Sequence, residues 1–142
     1  MALRIDLTFD TRDAESLAGF WKLALGYEDD PPPAPFTTRE QWVASFGEDP
    51  DDAGGGGAWL HDPDGVGPRL VLLDVPEPKV AKNRLHIDVR VGKGPDAWPR
   101  ILAKVDELVA AGGSTLSIFD GHHVVMADPE GNEFCVAANP VS

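Results

Sequence analysis

His86 is the side chain this sequence places best for chemistry. It lies in Leu85-His86-Ile87-Asp88-Val89-Arg90-Val91, where apolar and polar residues alternate as on a strand with one buried face. An imidazole and a carboxylate whose proton affinities are tuned by burial can do general acid–base work. Asp6 stands in a second alternating stretch, and Glu133 shares the parity of Cys135 in the last apolar segment, so Asp6, His86 and Glu133 are the candidates for proton transfer. Asp6, His86 and Cys135 also carry the donor types of a zinc site. A 2-His-1-carboxylate iron site needs a second imidazole, and only His86 sits on a suitable strand. His61, His122 and His123 lie beside turns; neighbouring histidines on a strand point to opposite faces, so His122 and His123 are not expected to chelate together. Each residue also has a plainer role: His86 hydrogen-bonding within a polar strand face, Cys135 as a small packed side chain with no histidine to activate it. Trp42, Phe46 and Trp59 form another set. They flank an insertion and either wall a site for a flat apolar ligand or pack on the sheet.

The elements that must hold these residues come in two similar series. Leu3, Ile5, Leu7 and Phe9 alternate with Arg4, Asp6, Thr8 and Asp10 and predict a strand. Asp13 offers an N-cap for a helix carrying Leu17, Phe20, Trp21, Ala24 and Leu25, which Gly26 stops. The stretch around His86 predicts the matching strand, and Ile101, Leu102, Val105, Leu108 and Val109 the matching helix, ended by Gly112-Gly113. Asp62-Pro63-Asp64-Gly65 and Asp128-Pro129-Glu130-Gly131, 66 residues apart from 62 to 128, both have type I turn preferences and lead into final strands at 69–75 and 132–137. A repeat of that period implies two half-domains. The asymmetry is the insertion at 28–60, with Pro31-Pro32-Pro33 and Gly54-Gly55-Gly56-Gly57; within it Thr37-Thr38-Arg39-Glu40 resembles a capping box opening a short helix. The glycines lack the Lys-Ser/Thr pair and strand-to-helix frame of a phosphate loop, and are expected to act as a tether.

At 142 residues and 42% apolar, the chain fits one domain. Twelve basic against 24 acidic side chains give a formal charge of −12, which disfavours nucleic acid and anionic membranes as partners. One cysteine allows no internal disulfide, and the first residues lack a signal-peptide pattern, so a cytoplasmic location is expected.

Phe20-Trp21 before Leu25-Gly26-Tyr27, the segment Lys82-Asn83-Arg84-Leu85-His86-Ile87-Asp88, and the closing Asp128-Pro129-Glu130-Gly131-Asn132-Glu133-Phe134-Cys135 resemble the vicinal oxygen chelate superfamily, and within it the glyoxalase-like branch. The resemblance implies an α+β fold: two paired βαβββ modules forming a cup-shaped mixed sheet with helices on the outer face. It implies one domain over 1–142, with module one at about 1–78, carrying the inserted loop 28–60, and module two at about 79–142. Metal-using members hold ligands at four inward positions, which by spacing fall on Asp6, on Leu72 or Leu73, on His86 and on Cys135. Histidine is usual at the first and glutamate at the last; the leucines offer no lone pair and Cys135 is a soft ligand. Two functions follow. The preferred one is a glyoxalase/bleomycin-resistance-like binding protein without metal or other cofactor. It would hold an aromatic or hydrophobic ligand through Asp6, Trp42, Phe46, Trp59, His86 and Cys135, with antibiotic sequestration as one use. The alternative is a lyase, isomerase or dioxygenase using His86 with Asp6 and Glu133, with or without a divalent metal. The expected partners are a small molecule and a second copy of the chain.

Overall fold

The computed structural model describes residues 1–47 and 56–140. Gly54 and Gly55, half of the glycine run expected as a tether, therefore lie outside the described residues. Module one contains β1 (Asp6–Thr11), α1 (Ala14–Leu25), β2 (Glu28–Asp29), α2 (Arg39–Ser45), β3 (Gly57–His61) and β4 (Arg69–Asp74). Module two contains β5 (Asp88–Arg90), α3 (Ala97–Ala110), β6 (Ser114–Phe119), β7 (His123–Ala127) and β8 (Glu133–Ala137). The fold is α+β, and each module is a βαβββ unit with a four-stranded mixed sheet, in the orders β1-β4-β3-β2 and β5-β8-β7-β6. In both, the first strand pairs parallel with the last and the other pairings are antiparallel.

Local chemistry sets the boundaries. Asp13 caps α1 by accepting from the Ser16 N–H at 3.1 Å, and Gly26, at φ 71°, takes the left-handed turn that ends it. Asp74 on β4 accepts a further orphan N–H, that of Ala14, at 2.7 Å and so fastens the helix start to the sheet. Thr38 caps α2 through the Gln41 N–H at 3.2 Å, while Gln41 Oε1 accepts from Thr37 N–H at 3.1 Å, so the box spans Thr38 and Gln41. The two repeated turns are built alike. Asp62 and Asp128 each accept the glycine N–H three residues on at 2.9 Å, and each side chain accepts the N–H two residues on.

Two boundaries differ from the alternation. β1 begins at Asp6, leaving Leu3 and Ile5 exposed, because its partner β4 starts only at Arg69, opposite Asp6. β5 keeps just Asp88–Arg90, with Leu85 and His86 outside it. The 28–60 segment, read as a loop with one short helix, also supplies β2 and β3.

Each sheet buries one face under its helix. In module one Leu60, Leu70 and Leu72 are buried with Leu17, Phe20 and Trp21, and the Phe9 and Trp21 rings cross edge to face at 5.6 Å. In module two Ile101, Val105 and Leu108 of α3 are buried with Val124, Met126, Phe134 and Val136. Each such leucine or phenylalanine contributes about 2 kcal/mol. Leu102 and Val109, counted on the apolar face from sequence, are partly exposed, so the buried stripe is narrower than the apolar one.

Candidate functional site

The opposite face of the first sheet carries the residues with chemical potential. Strand alternation and register place Asp6 beside Arg69, Thr8 beside Val71 and Trp59, and Asp10 beside Leu73 and Gly57, all on the side away from α1. The short helix α2 brings Trp42 to this face. Its ring meets Trp59 at 6.0 Å and Phe46 at 5.0 Å, both edge to face. Gly57 makes room for the Trp59 ring, since a Cβ there would lie 2.8 Å from the indole and 2.9 Å from the Leu72 carbonyl. The three aromatic residues singled out from sequence are thus brought together, with Phe46 half exposed.

Arg39 organises the cluster. Its guanidinium stands over the rings of Trp42 and Trp59, at 4.9 and 4.7 Å, and its Nη2 donates to Asp30 Oδ2 at 2.9 Å, Asp30 O at 2.8 Å and Pro31 O at 3.0 Å. Asp30 is anchored to β3 through its own N–H, which donates to Trp59 O at 2.7 Å. Its side chain is only 14% exposed, so its charge requires the cation beside it. His61 Nδ1 is 3.2 Å from Asp30 Oδ1 but off the line of a hydrogen bond; it and Arg39 Nε are buried without a hydrogen-bond partner among the described residues. Arg69 Nε approaches Asp30 Oδ2 at 3.5 Å. Sequence reasoning passed over Asp30, Arg39 and Arg69 and set His61 aside as a turn residue. The signals existed: Arg39 lies one helical turn before Trp42, and His61 shares the parity of Trp59.

In the second module His86 is exposed and precedes β5, with Nε2 2.8 Å from the Asn83 carbonyl oxygen. Glu133 is engaged at both oxygens, accepting the Asn83 N–H at 2.9 Å and Lys79 Nζ at 3.0 Å. Those donors, the Asn83 amide first and Lys79 second, lower its carboxyl from 4.5 to about 2. Cys135 pairs in register with Asp88 on the face away from α3. Burial, then the adjacent Asp88 carboxylate, raises its thiol pKa and keeps it protonated. His122 and His123 depart from expectation: their Nδ1 atoms lie 2.6 Å apart. His122 belongs to the turn before β7, where its N–H donates to Phe119 O, so strand alternation does not separate the pair.

The donors offered by the described residues do not fit a divalent metal. Among the described residues no three His, Cys, Asp or Glu side chains come together in a way that could hold one. Leu72 is fully buried on the helix side of its sheet, and the residue opposite Asp6 is the cation Arg69.

This architecture, with the first and last strands of each module paired in parallel, is shared with a known class. The model of the glyoxalase-like domain matches residues 6–137, and the chain belongs to that family, within the vicinal oxygen chelate superfamily. Solved structures share the fold at low identity. The fosfomycin resistance protein FosX from Mesorhizobium loti is 12% identical with a TM-score of 0.62, over 99% of this chain and 94% of that one. FosX from Listeria monocytogenes, complexed with Mn(II) and sulfate, is 10% identical with a TM-score of 0.65, over 99% and 95%. A glyoxalase/bleomycin resistance protein/dioxygenase family enzyme from Burkholderia phytofirmans is 16% identical with a TM-score of 0.58, over 94% and 98%. No curated protein matches by sequence.

Proposed function

We propose that the protein binds an aromatic or hydrophobic small molecule on the open face of its first sheet, against Trp42, Phe46 and Trp59, without a metal. The observation that carries this is the aromatic cluster locked by Arg39 on a sheet face that α1 leaves uncovered. Two indoles fixed by a shared cation lose little further freedom when a ligand packs on them, and preorganisation of this kind favours affinity. Asp6, exposed on the same face, adds a polar group at the margin. His86 and Cys135 lie in the second module. The names of the structural neighbours, fosfomycin and bleomycin resistance, support sequestration of an antibiotic-like compound as the use. A lyase, isomerase or dioxygenase acting through Asp6, His86 and Glu133 has less support, because both oxygens of Glu133 are engaged and its low pKa makes it a weak base.

Members of the superfamily are often dimers, which supports a homodimer, and we place its action in the cytoplasm; among the described residues no helix is long and apolar enough to cross a membrane. Sedimentation showing only monomer at high concentration would remove the dimer. The binding test is a thermal-shift screen of aromatic compounds followed by titration of tryptophan fluorescence. Trp42→Ala should weaken a hit by about 1–3 kcal/mol. Unchanged affinity in both Trp42→Ala and Trp59→Ala would refute the site. Elemental analysis finding a divalent metal near one equivalent, lost on His86→Ala, would overturn the metal-free reading.

A further inference from the structure

Arg69 holds a position that the internal repeat makes special. It lies seven residues after Asp62 of the first turn, as Cys135 lies seven after Asp128 of the second. The registers agree: Asp6 on the first strand of module one is opposite Arg69, and Asp88 on the first strand of module two is opposite Cys135. Cys135 falls where metal-using relatives are expected to carry a ligand, and the register moves its module-one counterpart from Leu72 or Leu73, where spacing puts it, to Arg69. In module one, the equivalent position therefore carries a permanent cation on the open face of the sheet.

That cation is available. Arg69 is 53% exposed, its contact with Asp30 is a long 3.5 Å through Nε, and among the described residues its two terminal nitrogens make no hydrogen bond. Asp30 is already matched by Arg39 at 2.9 Å, so it does not neutralise Arg69. The free edge of a guanidinium is shaped for two parallel bonds to a carboxylate. Trp59 is opposite Val71, two residues from Arg69, which makes the indole and the guanidinium diagonal neighbours about 7 Å apart at the backbone. An aryl ring joined to an anionic group through one or two carbons spans that gap.

We propose that the ligand of the aromatic site is an anion, an aryl-substituted carboxylate or similar oxyanion, whose charged group is held by Arg69 while its ring packs on Trp59 and Trp42. This rests on the aromatic site proposed above and specifies its ligand class. Asp6, Asp10 and Glu28 lie on or beside the same face and oppose the anion, so Asp6→Asn should tighten binding.

Calorimetric titration with 1-naphthylacetate and its neutral analogue 1-naphthylacetamide tests the proposal. The wild type should bind the acid about tenfold or more tightly than the amide, with the gap shrinking as salt is raised. Arg69→Gln should bring the acid down to the amide's affinity and leave the amide unchanged, whereas Arg69→Lys should keep part of the preference. Circular dichroism checks that the variants fold, as the exposure of Arg69 leads one to expect. Equal binding of acid and amide by the wild type overturns the anionic ligand while sparing the aromatic site, as does an Arg69→Gln variant that weakens both alike. Binding of neither probe overturns both.

Discussion

Replacing Glu133 by Gln should destabilise the second module in a way that depends on pH. The Glu133 side chain, 18% exposed, ties the start of module two to β8: Oε2 accepts the Asn83 N–H at 2.9 Å and Oε1 accepts Lys79 Nζ at 3.0 Å, and Lys79 also donates to the Ala81 carbonyl at 2.8 Å. A hydrogen bond to a charged group contributes about 1.5–3 kcal/mol when sheltered, and solvent screening lowers that at the surface. Glutamine keeps an acceptor for Asn83 and loses the ion pair, so the loss should be about 1 kcal/mol; Glu133→Ala, which removes both, should lose about 2 kcal/mol. The sign of the pH effect follows from the direction of the shift. The folded carboxyl lies near 2 and the unfolded one near 4.5, so its stabilisation is complete above about 4.5 and is lost as pH falls through that interval toward 2. Urea unfolding of wild type and Glu133→Gln, followed by circular dichroism, should show a gap at about pH 7 that narrows at about pH 3. Equal stability at neutral pH, or a gap unchanged in acid, would refute the latch.

Arg39→Ala should destabilise by about 2–4 kcal/mol, because it strips the cation from the largely sheltered Asp30 and from two indole faces together. Thermal unfolding measures the loss, and a changed tryptophan emission in the folded variant reports the loosened cluster. Asp128→Ala should lose a similar amount, since its buried carboxylate accepts the N–H groups of Glu130 and Asn132 and the Asn132 side-chain amide; Asp128→Asn should lose about 1 kcal/mol, as it retains one acceptor for the turn. Denaturant midpoints that rank the two variants the other way would show that the turn is held by something else.

The modules were legible in the sequence where one local cause decides the structure. Asp13 and Gly26 bound α1, the repeated Asp-Pro-acid-Gly turns recur with the same bonds, and Thr38 opens α2, because each depends on residues within a few positions of one another. What was missed depends on partners distant in sequence. The start of β1 is set by where β4 begins, and β3 is a strand because it lies between β4 and β2, whatever its glycine and proline surroundings suggest. The site divides the same way. Trp42, Phe46 and Trp59 could be picked from their types, yet the residues that join them, Arg39 and Asp30, are ordinary charges until α2 folds onto the sheet.

The parallel pairing of first and last strand also sets an order of events during synthesis. β1 leaves the ribosome early but cannot join its sheet until Arg69 and the residues after it have followed, whereas β5 waits only from Asp88 to Cys135. At about 5–20 residues per second the first strand spends several seconds without a partner. Non-local closure of this kind slows folding, so the second module, with the shorter wait, should complete its sheet faster once its residues are made.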